Sequence, residues 1–526
     1  MRLLQGLDRL ETGLPAALAR RRWWLVGAVL VLYLAITCTL ARQKLFWNDE
    51  LFTLYISRLP RLVDIWSILD TGVEQLPPTF HILTRTFMWL FGENHLAVRL
   101  PEILGMGLMS LCLFFVVAHR ASTTYGVVAM ILPLVTQAYY YAYEARPYGL
   151  VLGFSAASLF CWQSAAEGRR RILSLVGLTA ALTAALATHY YSVLLFVPLA
   201  AGELARSIMR KRVDLRIWLA FFIATIPLWI FLPLIQAGRR HTSTFWAKPR
   251  WHDVVGFYHN LFSSGPFPLL AILLLLALYA IIRPYRGERD HTASARVPVH
   301  EVVAAVGYLA IPAVAVLLAK LVTGAFTDRY AITGVVGLAL IIPWGAYHIL
   351  DRRETMGALL AVILCSWFVV TDGIKLAAKL RQDRADHHET YDFFRASAPI
   401  GLPLAIASPH VFFQLSHYAP PDFASRFVYL ADSAASLRHL QTDTPEIGIQ
   451  EFRRWTPMMI EDYRPYVGAH PRFLLYGDMS RWAWLLSELV AKGARIELVA
   501  LDGAIPLYLV DLVPVSTSRA RIGTSK

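Results

Sequence analysis

Apolar segments, each long enough to cross the hydrocarbon of a membrane, dominate this sequence and leave few folds open to it. Crossing about 30 Å of hydrocarbon takes roughly 20 helical residues, and in lipid every backbone N–H and C=O must be satisfied inside the segment. Such segments fall at 23–41, 97–118, 124–142, 148–166, 172–188, 190–206, 217–235, 266–283, 301–322, 330–350 and 355–372. They predict an all-α polytopic membrane domain of about eleven transmembrane helices. The chain is 56% hydrophobic and only 17% charged, which excludes an ordinary soluble globule. Its net charge of +13 sits in short basic runs between apolar segments, the positive-inside pattern rather than a nucleic-acid patch. Cys38, Cys112, Cys161 and Cys365 all lie within apolar runs and read as small hydrophobes, with neither metal-ligand spacing nor a disulfide framework.

Arg20-Arg21-Arg22 precede the first segment and place the N-terminus in the cytoplasm, and no small-residue cleavage site follows. The run 79–91 is short for a crossing and is interrupted by His81 and Arg85. With Pro77-Pro78 at its start it reads as a helix lying at the interface. Keeping it out of the count puts the loops of Arg120, Arg169-Arg170-Arg171, Arg206 to Arg216, Arg283 to Arg296 and Arg352-Arg353 all inside; counting it turns every one outward. The expected topology is therefore a multi-pass protein of the cytoplasmic membrane, with the loop 42–96 and the turns near 144, 189 and 329 on the outer face. After 372 the composition changes. A charged helical stretch leads into short apolar runs at 402–407, 472–476, 496–500 and 506–510, with an amphipathic segment from Arg481 to Lys492 closed by Gly493. This predicts a membrane domain over 1–372, including the first outer loop 42–96, and a small extracytoplasmic α/β domain over 373–526.

Polar groups that need a reason collect on the expected outer face. Asp49 and Glu50 lie side by side just beyond the first helix, where unpaired carboxylates near hydrocarbon are costly. Glu144 and Arg146 sit two residues apart in a turn before Pro147. Arg146 offers a planar fork of donors for a phosphate, with Glu144 orienting it or coordinating a metal; a solvated turn is the plainer alternative. Arg329-Tyr330 repeats the pairing of guanidinium and phenol, although a snorkelling anchor would look the same. His189 reads equally as an interfacial histidine. Transfer of a sugar from a polyprenyl phosphate suits such a set. The leaving group is already a stabilised phosphate, so one carboxylate must take the acceptor proton while cations or a metal stabilise the departing charge. Hydrolysis of a glycoside would instead need two carboxylates flanking the bond, which adjacent residues cannot supply.

The order Trp47-Asn48-Asp49-Glu50-Leu51, Leu76-Pro77-Pro78, Val98-Arg99-Leu100-Pro101, Tyr143-Glu144-Ala145-Arg146-Pro147-Tyr148, Thr188-His189-Tyr190-Tyr191 and Asp328-Arg329-Tyr330 resembles the GT-C membrane glycosyltransferases. It is closest to the bacterial branch related to protein O-mannosyltransferases and lipid A aminoarabinose transferase, over residues 23 to 372. The resemblance implies an undecaprenyl- or dolichyl-phosphate sugar donor, inversion at the anomeric carbon and Asp49 as general base, with Glu50 beside it. It implies donor and substrate contacts at Glu144, Arg146, Tyr148, His189, Tyr190, Arg329 and Tyr330. A divalent metal at Glu144 and His189 stays open, as does the acceptor: lipid, glycan or protein. Two other classes stand beside this one. An O-antigen ligase or polymerase acting on lipid-diphosphate glycans would not need Asp49-Glu50 after the first helix. A lipid or sugar transporter would place ionisable residues at mid-bilayer, where this sequence has few.

Overall fold

The computed structural model describes residues 20–240, 243–262, 274, 297–350, 352–399 and 401–512. Two compact units account for the chain. One comprises residues 1–45, 52–243 and 247–384; the other comprises 46–51, 244–246 and 385–526.

The first unit is helical. Among the described residues, six helices are long and apolar enough to cross a membrane, or eight if each of two bent pairs is one crossing. The chain is a multi-pass membrane protein, but the count of eleven is not reproduced. The expected span 124–142 stops as an α-helix at Ile131, just before Pro133, and continues as two 3-10 turns, Leu132–Val135 and Gln137–Ala142. Pro133 has no N–H to give the helix, and the Thr136 hydroxyl instead caps the second turn. The expected span 330–350 is a helix of 16 residues, Gly334–Ile349, preceded by a 3-10 turn. The span at 266–283 lies outside the described residues, Leu274 apart. The spans at 217–235 and 301–322 are bent, by 57° after Ile230 and by 52° after Leu309. Each break is followed within three residues by a proline, Pro233 and Pro312, which removes a ladder donor. The carbonyl of Leu309 at the second break accepts from the Tyr258 hydroxyl.

Helix pairing is closest between His95–Arg120 and Tyr148–Ala166. A Cβ built on Gly105 would stand 2.5 Å from the carbonyl oxygen of Gly149, and one on Gly153 would stand 2.4 Å from that of Gly105. Gly149 and Gly153 are thus a small-xxx-small pair that lets two backbones touch. Three arginines of the basic runs are engaged in buried networks. Arg120 pairs with Glu301 and Glu167, Arg206 with Glu203 and Asp214, and Arg171 with Asp214. Gln163 and Trp162 donate to Glu301 and Glu203 at 3.0 Å, so the buried carboxylates are hydrogen-bonded as well as paired.

The first helix, Arg22–Gln43, ends on a second arginine device. Arg99 is fully buried and donates to the carbonyls of Ala41 (2.6 Å), Lys44 (2.7 Å) and Leu45 (3.2 Å), while Arg384 donates to Gln43 and Arg42. These are the carbonyls a helix end leaves unsatisfied, and a cation there also meets the negative end of the dipole. The path of the chain beyond this helix is thereby fixed. The run expected at the interface is the helix Pro78–Phe91, with Pro78 in its first turn. Its 14 residues span about 21 Å at 1.5 Å per residue, short of the hydrocarbon thickness.

The second unit carries a six-stranded sheet: β1 (Leu404–Ile406), β2 (Phe427–Ala431), β3 (Ile460–Asp462), β4 (Arg472–Tyr476), β5 (Arg495–Asp502) and β6 (Ile505–Asp511). The order is β3-β2-β1-β4-β6-β5, parallel through β4 and closed by the antiparallel pair β5–β6. Helices Pro409–Tyr418, Ser433–Leu440, Thr444–Phe452 and Leu485–Ala491 connect the strands. Phe473, Leu475, Val428 and Trp484 form the centre of the core. The apolar runs read as strands at 402–407, 472–476, 496–500 and 506–510 fall on β1, β4, β5 and β6, the last two strands being longer than their runs, while β2 and β3 went unread.

Candidate functional site

Asp49 and Glu50 begin the helix Asn48–Ser57, and their first turn belongs to the second unit. They differ sharply. Glu50 is fully buried and its Oε2 receives the Trp47 N–H at 3.4 Å, the returning half of a capping box, which ties it to the helix end. Asp49 is half-buried, and the Asn48 amide donates to its Oδ1 at 3.4 Å. Of the two carboxylates, Asp49 is the more exposed.

The turn is held from the far end of the chain. The Phe46 N–H donates to the Tyr418 hydroxyl at 2.8 Å, and Gln414 donates to the Phe46 carbonyl at 3.1 Å. The His417 ring meets the Phe46 ring edge-on at 6.0 Å between centroids. All three come from the helix Pro409–Tyr418, where i, i+3 and i+4 share a face. The same helix carries His410. Burial lowers its pKa, and the neighbouring Asp49 carboxylate opposes that shift.

The other expected residues lie in the first unit, and five of them meet. Arg146 is almost fully buried and forks onto Glu74, with Nη1 to Oε2 at 2.7 Å and Nη2 to Oε1 at 3.2 Å; Nη1 also reaches the Thr53 hydroxyl at 3.4 Å. His189 faces Tyr148 (5.3 Å) and Tyr330 (5.6 Å), Tyr330 stacks on Tyr191 (4.4 Å), and the Arg329 guanidinium stands 5.8 Å from the Tyr148 ring centre. Tyr191 is fixed in turn by the Thr323 hydroxyl and the Ala325 carbonyl. The chain turns tightly at Glu144–Arg146–Tyr148, each residue's N–H reaching the carbonyl two before it (2.7 Å in both cases), which presents Arg146 and Tyr148 inward. Glu144 is buried in this turn. Tyr190 is half-buried, and its hydroxyl has no hydrogen-bond partner among the described residues.

The electrostatics favour anions. Burial, then the charge of Arg146, lowers His81 to about 3. Burial, then Arg146 and Arg329, lowers His189 to about 3. Both imidazoles are therefore neutral at physiological pH. His189 Nδ1 accepts the Tyr191 N–H at 3.1 Å, which leaves its proton on Nε2. Nδ1 is the capping nitrogen, and among the described residues no group of three or more His, Cys, Asp or Glu is placed to hold a metal ion.

Sequence reasoning missed Glu74, His81 and Lys44. The carboxylate orienting Arg146 was sought two residues away at Glu144, whereas the forked ion pair is made to Glu74, directly before the Gln75-Leu76-Pro77-Pro78 run. Its position beside that motif was the available signal. His81 stood out only as an interruption of an apolar run. Lys44, nearly buried, places its ammonium 4.8 Å from the Tyr140 ring centre and adds a third cation.

Next to this cluster lies a cavity of about 310 Å³ lined by Gln137, Tyr140, Tyr141, Asn260 and Asp328, with apolar walls from helix Asp253–Leu261. Tyr141 packs on Tyr148 with ring centres 4.8 Å apart, so cavity and cluster share a wall.

Residues 75–236 match the family model described as dolichyl-phosphate-mannose-protein mannosyltransferase. Comparison with curated proteins finds no match. Among solved structures, ArnT from Cupriavidus metallidurans in the apo state is similar at 12% identity with a TM-score of 0.59, covering 94% of this chain and 98% of that one. The same protein bound to undecaprenyl phosphate is similar at 12% identity with a TM-score of 0.55, covering 92% and 98%. At such identity the likeness is one of fold. Together with the matched segment it bears out the resemblance to the GT-C membrane glycosyltransferases read from the motifs.

Proposed function

We propose that this chain, with a GT-C fold and a mannosyltransferase-like segment, transfers a sugar from a polyprenyl phosphate to an acceptor at the outer face of the cytoplasmic membrane. The observation that carries the reading is the cluster of buried Arg146, His189 and Tyr148 with half-buried Arg329. Two guanidiniums and neutral imidazoles gathered among phenol rings make a site for an anionic headgroup at low dielectric. The similar ArnT is known with undecaprenyl phosphate bound, which makes a lipid phosphate the natural donor for the same fold here.

In this reading Asp49 takes the proton from the acceptor hydroxyl. The acceptor oxygen attacks the anomeric carbon from the face opposite the phosphate, the bond from that carbon to the phosphate oxygen breaks, and the configuration inverts. Polyprenyl phosphate departs with the bonding electrons, its growing charge met by Arg146 and Arg329. Glu50 serves the helix end rather than the chemistry. Tyr190 and Tyr330 line the donor side, and Glu144 keeps the Arg146 turn in place. The C-terminal unit would lie outside the membrane, where it holds the acidic turn.

The test is a transfer assay on purified protein with a panel of polyprenyl-phosphate sugars and with lipid-diphosphate glycans. Turnover of a monophosphate donor that falls about 10²- to 10⁴-fold in Asp49→Asn, with normal membrane accumulation, is the expected result. Consumption of a diphosphate-linked donor instead would favour a ligase or polymerase, and full activity in Asp49→Asn would remove Asp49 as base.

A further inference from the structure

The cavity beside the cationic cluster has no role in the chemistry above. Its volume, about 310 Å³, lies at the small end of ligand pockets, room for one ring rather than an oligosaccharide. Its lining is of two kinds. Tyr140 and Tyr141 offer aromatic surface, their rings edge-on to each other with centres 5.6 Å apart. Gln137, Asn260 and Asp328 supply two amides and a carboxylate, a donor and acceptor set suited to hydroxyl groups.

The polar side is preorganised. Asn260 Nδ2 donates to Asp328 Oδ2 at 2.6 Å, joining helix Asp253–Leu261 to the 3-10 turn Asp328–Ala331. This leaves the Asp328 carboxylate in one orientation. Asp328 is half-buried, and this burial, with Asp253 in support, raises its pKa against the pull of the Asn260 amide. Asp328 directly precedes Arg329, whose guanidinium stands over Tyr148, and Tyr141 on the cavity wall packs against that same Tyr148 ring. Lys44 lies against Tyr140 on another wall. A molecule with one end in the cavity therefore has its other end among cations.

We infer that the cavity is the subsite for the sugar ring of the donor, and that the Asn260–Asp328 pair selects the sugar by its hydroxyl pattern. The inference rests on the proposed use of a polyprenyl-phosphate sugar and adds to it a single pyranose as the recognised unit. A pocket built to hydrogen-bond a hydroxyl discriminates against an epimer that cannot meet its fixed polar groups.

The experiment measures binding without an acceptor. Purified full-length protein in detergent is titrated calorimetrically with farnesyl phosphate and with farnesyl-phosphate mannose, glucose and galactose. In wild type the three sugars should differ in affinity by about tenfold or more between best and worst. In Asp328→Asn and Asn260→Ala that ranking should collapse to within about twofold, while affinity for farnesyl phosphate stays unchanged and certifies the fold. Should Asp328→Asn not accumulate, Gln137→Leu at an exposed position gives the same reading. A ranking that survives in the variants, or a wild type that binds farnesyl phosphate as well as every sugar derivative, overturns the inference. Absent transfer with an intact ranking would count against the transferase reading alone.

Discussion

Arg146 and Glu74 form a forked ion pair from which water is nearly excluded, between residues 72 apart in the chain. The guanidinium read from the sequence as waiting for a phosphate is already matched by a carboxylate. If Arg146 meets the donor phosphate as proposed, that phosphate must share the guanidinium with Glu74 or displace it.

Removing one partner of a buried pair strands the other, so Arg146→Ala and Glu74→Ala should each cost about 3–5 kcal/mol. The double variant should cost clearly less than the sum. Thermal unfolding of detergent-solubilised protein checks this cycle. Glu74→Gln should in addition bind farnesyl phosphate more tightly than wild type at low salt. Weaker binding would show that Glu74 holds Arg146 in its working position.

Contact of two backbones leaves no room for a methyl group. Gly153→Ala would press its Cβ on the Gly105 carbonyl and should destabilise the protein by about 1–3 kcal/mol, and Gly105→Leu by more. Gly168→Ala on the same footing meets no neighbour, but its φ of +77° adds backbone strain. Gly27→Ala, with open space and no positive φ, is the proper control and should be silent. Melting temperatures of the series decide the order.

In the C-terminal unit, burial would raise the Glu488 carboxyl, but hydrogen bonds from His439, Arg438 and Lys492 outweigh it and bring the group to about 2. A carboxyl lowered from 4.5 on folding adds stability that is fully present above pH 4.5 and is lost as the pH falls towards 2. Glu488→Gln should therefore lower stability near neutrality by about 1–3 kcal/mol and flatten the acid limb between these values. Equilibrium unfolding of the full chain across that range is the measurement; parallel acid limbs would refute the assignment.

The clamp on Phe46 predicts a kinetic effect at a distance. Tyr418→Phe removes the acceptor for the Phe46 N–H while keeping the ring, and Gln414→Ala frees the carbonyl. Each should reduce kcat about tenfold with KM little changed, because a loosened acidic turn misplaces Asp49 while donor binding stays intact. Steady-state kinetics on the donor that wild type prefers will separate the two constants.

Much of this molecule was legible because hydropathy is local. The runs that give Arg22–Gln43, His95–Arg120 and Tyr148–Ala166 declare themselves residue by residue. So does the helix Pro78–Phe91, through its prolines and its length. Pairings are another matter. Nothing near Glu74 announces Arg146, and nothing near Asp328 announces Asn260, because such contacts depend on how helices pack. The bends after Ile230 and Leu309 were carried by Pro233 and Pro312, visible but unread within apolar runs. The close approach at Gly149 and Gly153 was also present as a spacing of four. Glu50 shows the reverse limit: adjacent to Asp49 and chemically equivalent in the sequence, it is separated from it only by where the helix begins.

The clamp also bears on how the protein is made. Phe46 emerges early in synthesis, yet its partners Gln414 and Tyr418 follow 368 and 372 residues later. For most of translation the acidic turn lacks the contacts that fix it. A ribosome that stalls before the helix Pro409–Tyr418 would leave a membrane-inserted chain whose acidic turn lacks these two contacts. The two contacts thus form only once residue 418 has been made, so the order of the acidic turn is tied to synthesis of a distant part of the chain.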